Sequence, residues 1–128
     1  MTDREAALGT PVLSLAYLGD AVYEVLVRER LVRRGVKSPS VRSLEYVTAG
    51  SQSDAAERIL PHLTEEEADL FRRGRNDHHS AVPKHAAPVQ YRRATGLEAL
   101  FGFLYLAGED GRLRELFAIA FPEEQIEQ

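Results

Sequence analysis

Residues 12–34 read VLSLAYLGDAVYEVLVRERLVRR, a long and mostly apolar stretch. The sequence predicts a helix from Pro11 to Arg34 that ends at Gly35, a residue type common just after a helix. Apolar residues occupy nearly every face of this helix, so we expect it to run through the core. Asp20 interrupts the apolar run. A buried carboxylate is costly unless it is paired, hydrogen-bonded or bound to a metal, so its presence needs a cause.

The rest of the chain also has helical spacing, and its six prolines fall between the periodic segments. Ser38 and Pro39 predict the start of a second helix. Thr64 and Glu67 form a capping box, and we expect Gly74 to end the helix that they begin. The predicted helices after the first cover residues 39–60, 65–73, 88–106 and 111–121, with a long loop over 75–87. The predicted fold class is all-α.

Length and composition exclude several classes of protein. The chain has 128 residues, which fits a single domain over residues 1–128, and it has no cysteine. Disulfides, thiol nucleophiles and Cys-ligated zinc are therefore excluded. No run reaches the ~20 apolar residues of a membrane span, and the charged start MTDREAALGT is unlike a signal peptide, so we expect a cytoplasmic protein.

The charges are unevenly distributed along the chain. The formal net charge is −4, yet Lys and Arg outnumber Asp and Glu within residues 28–93, and the two flanking segments are acidic. Because phosphate contacts depend on local charge, this asymmetry permits a polyanion-binding face on an acidic protein. Solvated helix faces that merely differ in charge are the alternative.

A second acid, Glu98, interrupts the apolar sequence of the predicted 88–106 helix. Both Asp20 and Glu98 are expected to be buried, and the small residues around them would let another helix approach closely. Two such acids could share a divalent cation, since Mg²⁺ prefers oxygen ligands. The alternative for Asp20 is an ion pair with an arginine or a helix cap. Glu24 either joins the pair or forms an ion pair with Arg28 four residues on.

Basic residues cluster at the end of the predicted 65–73 helix and in the loop that follows. Their types suit contact with phosphates or an RNA backbone. A basic helix C-terminus that needs no ligand is the alternative. A metal site at His78 and His79 is a weaker interpretation, because no helical spacing holds adjacent loop histidines on one face. The candidate RNA-binding residues are Arg72, Arg73, Arg75, Asn76 and Lys84.

Several motifs resemble those of a known family. LAYLGDAV at 15–22 resembles the signature helix of ribonuclease III domains, whose pattern is Leu-Glu-Phe-Leu-Gly-Asp, and TGLEALFG at 95–102 resembles the family's second acidic motif. The match to the Mini-ribonuclease III subfamily is closer and covers nearly the whole chain. It includes AYLGDAVYE at 16–24, RRGRN at 72–76, VPK at 82–84 and YRRATGLEAL at 91–100.

This resemblance implies an all-α, ribonuclease III-like homodimer that binds double-stranded RNA in a valley across its two subunits. Asp20 and Glu98 fall on the family's catalytic, metal-binding acids, and the implied cofactor is Mg²⁺, with Mn²⁺ as a substitute. Each active site would hydrolyse one strand and leave a 5′ phosphate and a short 3′ overhang. The implied substrate is precursor 23S ribosomal RNA, and a large-subunit ribosomal protein is an implied helper.

The sequence departs from the full-length ribonuclease III pattern at two acidic positions. Ala16 stands where that pattern has a glutamate, and Thr95 where it has an aspartate; the Mini-ribonuclease III pattern shares both replacements. We expect them to affect the number of metal ions more than the activity. No residues remain for the double-stranded-RNA-binding domain that usually follows, so the catalytic domain itself is expected to grip the A-form duplex.

Two other functions remain open at this point. A ribonuclease III-like dimer that only binds RNA or a ribosomal particle would explain the two replaced acids, but it would leave the two remaining acids without a role. A metal phosphohydrolase acting on a small nucleotide through Asp77, His78 and His79 would need further ligands. The chain holds only two other histidines, His62 and His85.

Overall fold

The computed structural model describes residues 1–77 and 82–123, and over these ranges the chain forms helices and no strands. The predicted all-α class is therefore confirmed. The helices are α1 (Asp3–Leu8), α2 (Val12–Arg33), α3 (Pro39–Arg42), α4 (Leu44–Val47), α5 (Ala49–Ile59), α6 (Glu65–Arg75), α7 (Pro88–Leu106) and α8 (Asp110–Ala120), with a 3-10 turn at Leu60–His62.

Helix α7 forms the centre of the fold, and α2, α5 and α6 all pack against it. Its sequence is apolar all round, which is typical of a helix enclosed by others. Every residue from 94 to 104 is buried except Glu98, which is half-buried. Tyr23 and Phe117 fill the space between α2 and α8 with an edge-to-face ring contact. Within this buried segment, the acid is the residue that retains access to solvent.

Helices α2 and α7 approach so closely that their main chains are in contact. A Cβ atom at Gly19 would overlap the main-chain carbonyl oxygen of Glu98, and one at Gly102 would overlap that of Leu15. Glycine is the residue that permits such an approach of two backbones. Because Asp20 follows Gly19 directly, this contact brings the acid of α2 to the acid of α7.

Helix α2 runs through the core, as expected, but it also has one exposed apolar face. Tyr23 and Val27 are fully buried, whereas Tyr17 is 87% exposed, Val25 61% and Val32 71%. Apolar residues on every face indicate burial in general, but the pattern does not say which partner covers each face. In α2, one face packs against α7, and the opposite face points to solvent.

The predicted helix over 39–60 is divided into α3, α4 and α5. The Ser43 hydroxyl donates a hydrogen bond to a carbonyl three residues back, and Thr48 takes an extended conformation at which α4 ends. The Thr48 hydroxyl then caps α5 by accepting a hydrogen bond from the Ser51 amide, 3.1 Å away. Serine and threonine side chains compete in this way with helical hydrogen bonds. Ser38 adopts a left-handed conformation with φ 54° and makes no side-chain cap.

Gly74 does not end α6, which continues to Arg75. The capping box of Thr64 and Glu67 at the start of α6 is confirmed. A Cβ atom at Gly74 would lie 2.8 Å from the Cβ of Ala99. The glycine therefore serves the close packing of α6 on α7, and it places the last turn of α6 beside the turn of α7 that contains Glu98.

The other helix predictions agree with the structure. Helix α7 covers the predicted range, and α8 differs from it by one residue at each end. The short helix α1 was not predicted; a capping box formed by Thr2 and Glu5 begins it. Over the two described ranges, no helix is both long and apolar enough to cross a membrane.

Candidate active site

Asp20 and Glu98 lie in one groove between α2 and α7. The tight contact at Gly19 fixes the two helices against each other, so the positions of these acids depend on the main chain and not only on side-chain rotamers. The sequence did not show that these helices touch, and the structure brings the two acids together. The groove is lined by Leu13, Ala16, Tyr17, Asp20, Tyr91, Thr95 and Glu98.

The two acids differ in their exposure. Asp20 is exposed and Glu98 is half-buried, so the expectation of two buried acids is wrong for Asp20. The reason is the exposed face of α2, on which Asp20 lies. This arrangement makes Asp20 the solvent-facing carboxylate of the groove and Glu98 the deeper one.

Burial and the neighbouring charge of Asp20 raise the pKa of Glu98 to about 8. Burial is the larger cause because it disfavours the ionised form, and the Asp20 carboxylate adds repulsion of like charge. A hydrogen bond from the Gln52 side chain acts in the opposite direction and lowers the pKa of Glu98. Without a cation, Glu98 therefore keeps its proton at neutral pH and shares a hydrogen bond with Asp20. A positive ion in the groove would favour the ionised form of Glu98.

Sequence reasoning missed Gln52. This residue lies on α5, which packs against α7, and only 5% of it is exposed. Its side-chain nitrogen Nε2 donates to the Val47 carbonyl over 3.1 Å. A glutamine within the Ala- and Ser-rich stretch AGSQSDAA carries no pattern that would mark it, since the sequence does not show which residue of α5 faces Glu98.

The neighbours of the acid pair add no further carboxylate ligand. Glu24 forms an ion pair with Arg28 at 3.0 Å. Of the two roles considered for Glu24 from the sequence, this is the ion pair with the arginine four residues on. Ala16 is buried, and the Thr95 hydroxyl donates to the Tyr91 carbonyl over 3.0 Å. Among the residues that the structure describes, no group of three or more His, Cys, Asp or Glu is arranged to hold a metal ion.

The histidines give no support to a metal phosphohydrolase. His78 and His79 lie outside the described residues. His62 lies in the 3-10 turn, where its carbonyl accepts a hydrogen bond from Arg112, and His85 is exposed. Neither His62 nor His85 lines the groove of the two acids.

The candidate RNA-binding residues lie on and after the last turns of α6. Arg72, Arg73, Asn76 and Lys84 are exposed, and Arg75 is half-buried with its guanidinium over the Phe71 ring. The packing of Gly74 against α7 places this basic end of α6 beside the turn of α7 that contains Glu98. The basic residues and the acid pair therefore lie on neighbouring segments of the fold.

Comparison with known proteins gives consistent results. The Ribonuclease III domain family matches residues 13–109. Mini-ribonuclease 3 of Symbiobacterium thermophilum is 48% identical over 116 residues, which cover 88% of this chain and 89% of the relative. Mini-ribonuclease 3 of Thermoanaerobacter sp. is 40% identical over 120 residues, which cover 91% and 84%.

A solved structure supports the same fold. The crystal structure of a protein from Fusobacterium nucleatum superposes with a TM-score of 0.77 at 28% identity, and the superposition covers 88% of this chain and 93% of that one. The segment matched by the family contains both Asp20 and Glu98. The resemblance seen in the sequence is thus confirmed, and the chain belongs to the ribonuclease III family, in its Mini-ribonuclease 3 group, as a ribonuclease that acts on RNA.

Proposed function

We propose that this protein is a divalent-metal-dependent endoribonuclease that cleaves double-stranded RNA. Asp20 and Glu98 are its metal ligands and catalytic residues. The observation that carries this proposal is the pairing of the two carboxylates across the α2–α7 contact, with the pKa of Glu98 raised by burial and by Asp20. A helical scaffold gains no stability from a half-buried acid beside a second acid, whereas a cation site requires two such carboxyl groups close together.

The donor chemistry of the groove fits Mg²⁺, with Mn²⁺ as a substitute. Both acids offer hard oxygen ligands, and Mg²⁺ commonly binds through one or two carboxylates and keeps several waters. When bound, the ion supplies Lewis-acid stabilisation of the scissile phosphate and lowers the pKa of its water. Asp20 is presented to solvent at the groove, and Glu98 must be ionised to contribute its charge. We expect 5′-phosphate products with short 3′ overhangs.

The basic end of α6 is proposed to hold the RNA duplex. A-form RNA is recognised mainly by its shape, its phosphates and its 2′-hydroxyls, which suit exposed arginines such as Arg72 and Arg73. Arg75, Asn76 and Lys84 extend the same surface. In this proposal residues 1–128 form one catalytic domain that grips the duplex without a separate double-stranded-RNA-binding domain.

The protein is proposed to act as a homodimer, with one active site for each strand. The exposed face of α2 supports this, because Tyr17, Val25 and Val32 follow one another at spacings of about two helical turns and are each more than half exposed. Exposed apolar residues that repeat along one face of a helix are typical of a helix–helix interface. A second copy of α2 packed on this face would align two grooves across a two-fold axis.

The proposed substrate is precursor 23S ribosomal RNA in the cytoplasm, with a large-subunit ribosomal protein as a helper. Support for this finer assignment comes from the family resemblance. The basic last turn of α6, beside the turn of α7 that contains Glu98, favours a polyanion over a small nucleotide.

The test is cleavage of a labelled RNA duplex and of a precursor 23S stem, each with Mg²⁺ and with EDTA. Asp20→Asn and Glu98→Gln should each reduce cleavage at least about 100-fold while folding and duplex binding persist, since each removes a ligand charge with little change in volume. Glu24→Gln is the matched control and should cleave normally. Faster cleavage of the stem than of the plain duplex would support the ribosomal role.

A second candidate function is a ribonuclease III-like dimer that binds structured RNA without cleaving it. The presence of Ala16 and Thr95 at two acidic positions of the family pattern favours this alternative. Binding of the duplex without any cut in Mg²⁺ or Mn²⁺ would establish it and contradict the proposal of catalysis.

A further inference from the structure

Gln52 is a buried amide beside the acid pair, and the chemistry proposed above gives it no role. It lies one turn into α5, and Ser53, Ala55 and Ala56 near it are also buried. Long polar side chains are rarely buried this fully unless their groups are bonded. The bonds that Gln52 makes therefore indicate what it does.

The amide nitrogen of Gln52 connects two parts of the fold. It donates to the Val47 carbonyl at the end of α4 over 3.1 Å, and the Gln52 side chain lies close enough to Glu98 to lower the pKa of that carboxyl by hydrogen bonding. The Val47 carbonyl is a main-chain acceptor, and its bond fixes the Gln52 side chain beside Glu98.

The other end of this amide is unsatisfied. Among the described residues, the oxygen Oε1 of Gln52 is the one buried side-chain nitrogen or oxygen atom without a hydrogen-bond partner. An unpaired buried acceptor lowers the stability of the native state. An apolar residue of similar shape would avoid this loss, so the amide at position 52 contributes something other than stability.

We propose that Gln52 is a positioning residue that orients the carboxylate of Glu98 toward Asp20 and toward a divalent cation held between them. This inference rests on the proposed function, because it assumes a cation in the groove. Groups that hydrogen-bond to a metal ligand hold its rotamer and tune its basicity, and their loss commonly costs 10- to 100-fold in metal affinity.

The experiment compares Gln52→Met with wild type in the full-length protein. Binding of Mn²⁺ is measured without RNA by electron paramagnetic resonance, and the unfolding temperature is measured in EDTA. Gln52→Met should weaken Mn²⁺ binding by about tenfold or more. Its unfolding temperature should stay near wild type, since the lost bond to Val47 is offset by removal of the unpaired oxygen. A glutamine with a purely structural role would change the unfolding temperature and leave Mn²⁺ binding intact.

Gln90→Met is the matched control. Gln90 is exposed at the start of α7, and its side chain lies near Gly50 at the beginning of α5, so the same chemical change is made close to the same helix. This variant should bind Mn²⁺ like wild type. Equal Mn²⁺ affinity in Gln52→Met, Gln90→Met and wild type would overturn the inference and leave the proposed function standing.

Two further observations keep the inference open to refutation. If Gln52→Met does not fold, NMR of the wild-type protein decides: the side-chain N–H₂ signals of Gln52 should shift on addition of Mg²⁺, and those of Gln90 should not. A Gln52 signal that does not respond, in a protein whose Mg²⁺ binding needs Asp20 and Glu98, overturns the inference alone. A wild-type protein that binds no divalent ion overturns the proposed function with it.

Discussion

Gly19 and Glu98 are in main-chain contact across α2 and α7, with no space for a side chain between the Gly19 α-carbon and the Glu98 carbonyl oxygen. The acid of α2 is the next residue after this glycine. The positions of the two carboxylates are therefore set by a backbone contact between α2 and α7. The reciprocal contact at Gly102 with Leu15 extends this interface by one turn.

Gly19→Ala should destabilise the protein by about 3 kcal/mol, because the added methyl group must push the two backbones apart. Any folded fraction should cleave RNA at least about 100-fold more slowly, since a displacement of about 1 Å at an active site has such an effect. Urea denaturation and duplex cleavage measure the two effects. In Gly111→Ala, the control, the new methyl group meets nothing within 4 Å, so stability should not fall. Wild-type stability in Gly19→Ala would contradict the main-chain contact between Gly19 and Glu98.

The sequence predicted the helices that carry the two acids better than it predicted the tertiary contacts around them. The helices with Asp20 and Glu98 were predicted because long apolar runs end at clear punctuation, such as Gly35 with φ 64°. The exposure of Asp20 could not be predicted, since an apolar helix face that points to solvent has the same composition as one that packs in the core. Gly74 looked like a helix end, and only the position of α7 reveals it as a packing glycine. Gln52 depends likewise on tertiary contacts that no local pattern encodes.

The raised pKa of Glu98 predicts that the metal-free protein loses stability as the pH rises. In the unfolded chain this carboxyl releases its proton near its ordinary pKa of 4.5, whereas the folded state keeps it up to about pH 8. The folded state thus binds more protons between these values, and its stability falls across that window and levels off above it. The group is half-buried, so we expect an effect of about 2 kcal/mol, below the full electrostatic value.

Urea denaturation in EDTA from pH 5 to pH 8.5 tests this prediction. Glu98→Gln should be more stable than wild type at pH 8.5, and the difference should shrink toward pH 5. Asp54→Asn, which removes an exposed carboxylate of α5, should show no such trend. A constant difference between Glu98→Gln and wild type at all pH values would show that Glu98 ionises normally in the fold.

Arg72→Ala and Arg73→Ala should each weaken binding of duplex RNA and reduce its salt dependence. A variant that makes one phosphate contact fewer releases fewer counterions when it binds RNA. The magnitude of the slope of log K against log salt should therefore fall by about one for each arginine removed. Fluorescence anisotropy in the Asp20→Asn background, which we expect not to cleave, measures the slope without loss of substrate. Arg34→Ala removes an exposed arginine at the end of α2 and should leave the slope unchanged. If Arg72→Ala and Arg73→Ala lower only stability, this end of α6 is a basic helix terminus without a ligand.

Val25→Glu should convert the proposed homodimer to a monomer. Val25 is 61% exposed at the middle of the outward face of α2, and a charge buried in an apolar interface is strongly unfavourable. Analytical ultracentrifugation should show the change in mass, and cleavage of both duplex strands should be lost with it. Because the Asp20–Glu98 groove is formed within one chain, Mn²⁺ binding should persist in the monomer. A dimer of unchanged affinity in Val25→Glu would place the interface elsewhere.

The ion pair between Arg112 and Glu67 should make the fold sensitive to acid. Glu67 is buried at the start of α6, and the Arg112 guanidinium donates to its two carboxylate oxygens over 2.8 and 2.7 Å. These bonds lower the pKa of Glu67, so their contribution is present above the ordinary pKa of 4.5 and is lost as the pH falls through the lowered value. Glu67→Gln should cost about 3 kcal/mol at pH 7, since it leaves the arginine without its partner, and the difference from wild type should diminish below pH 4. Urea denaturation at pH 7 and pH 3.5 measures both. Glu115→Gln, which alters the exposed partner of Arg112, should cost less than about 1 kcal/mol. An equal loss in Glu67→Gln and Glu115→Gln would mean that the buried pair has no special role in joining α6 to α8.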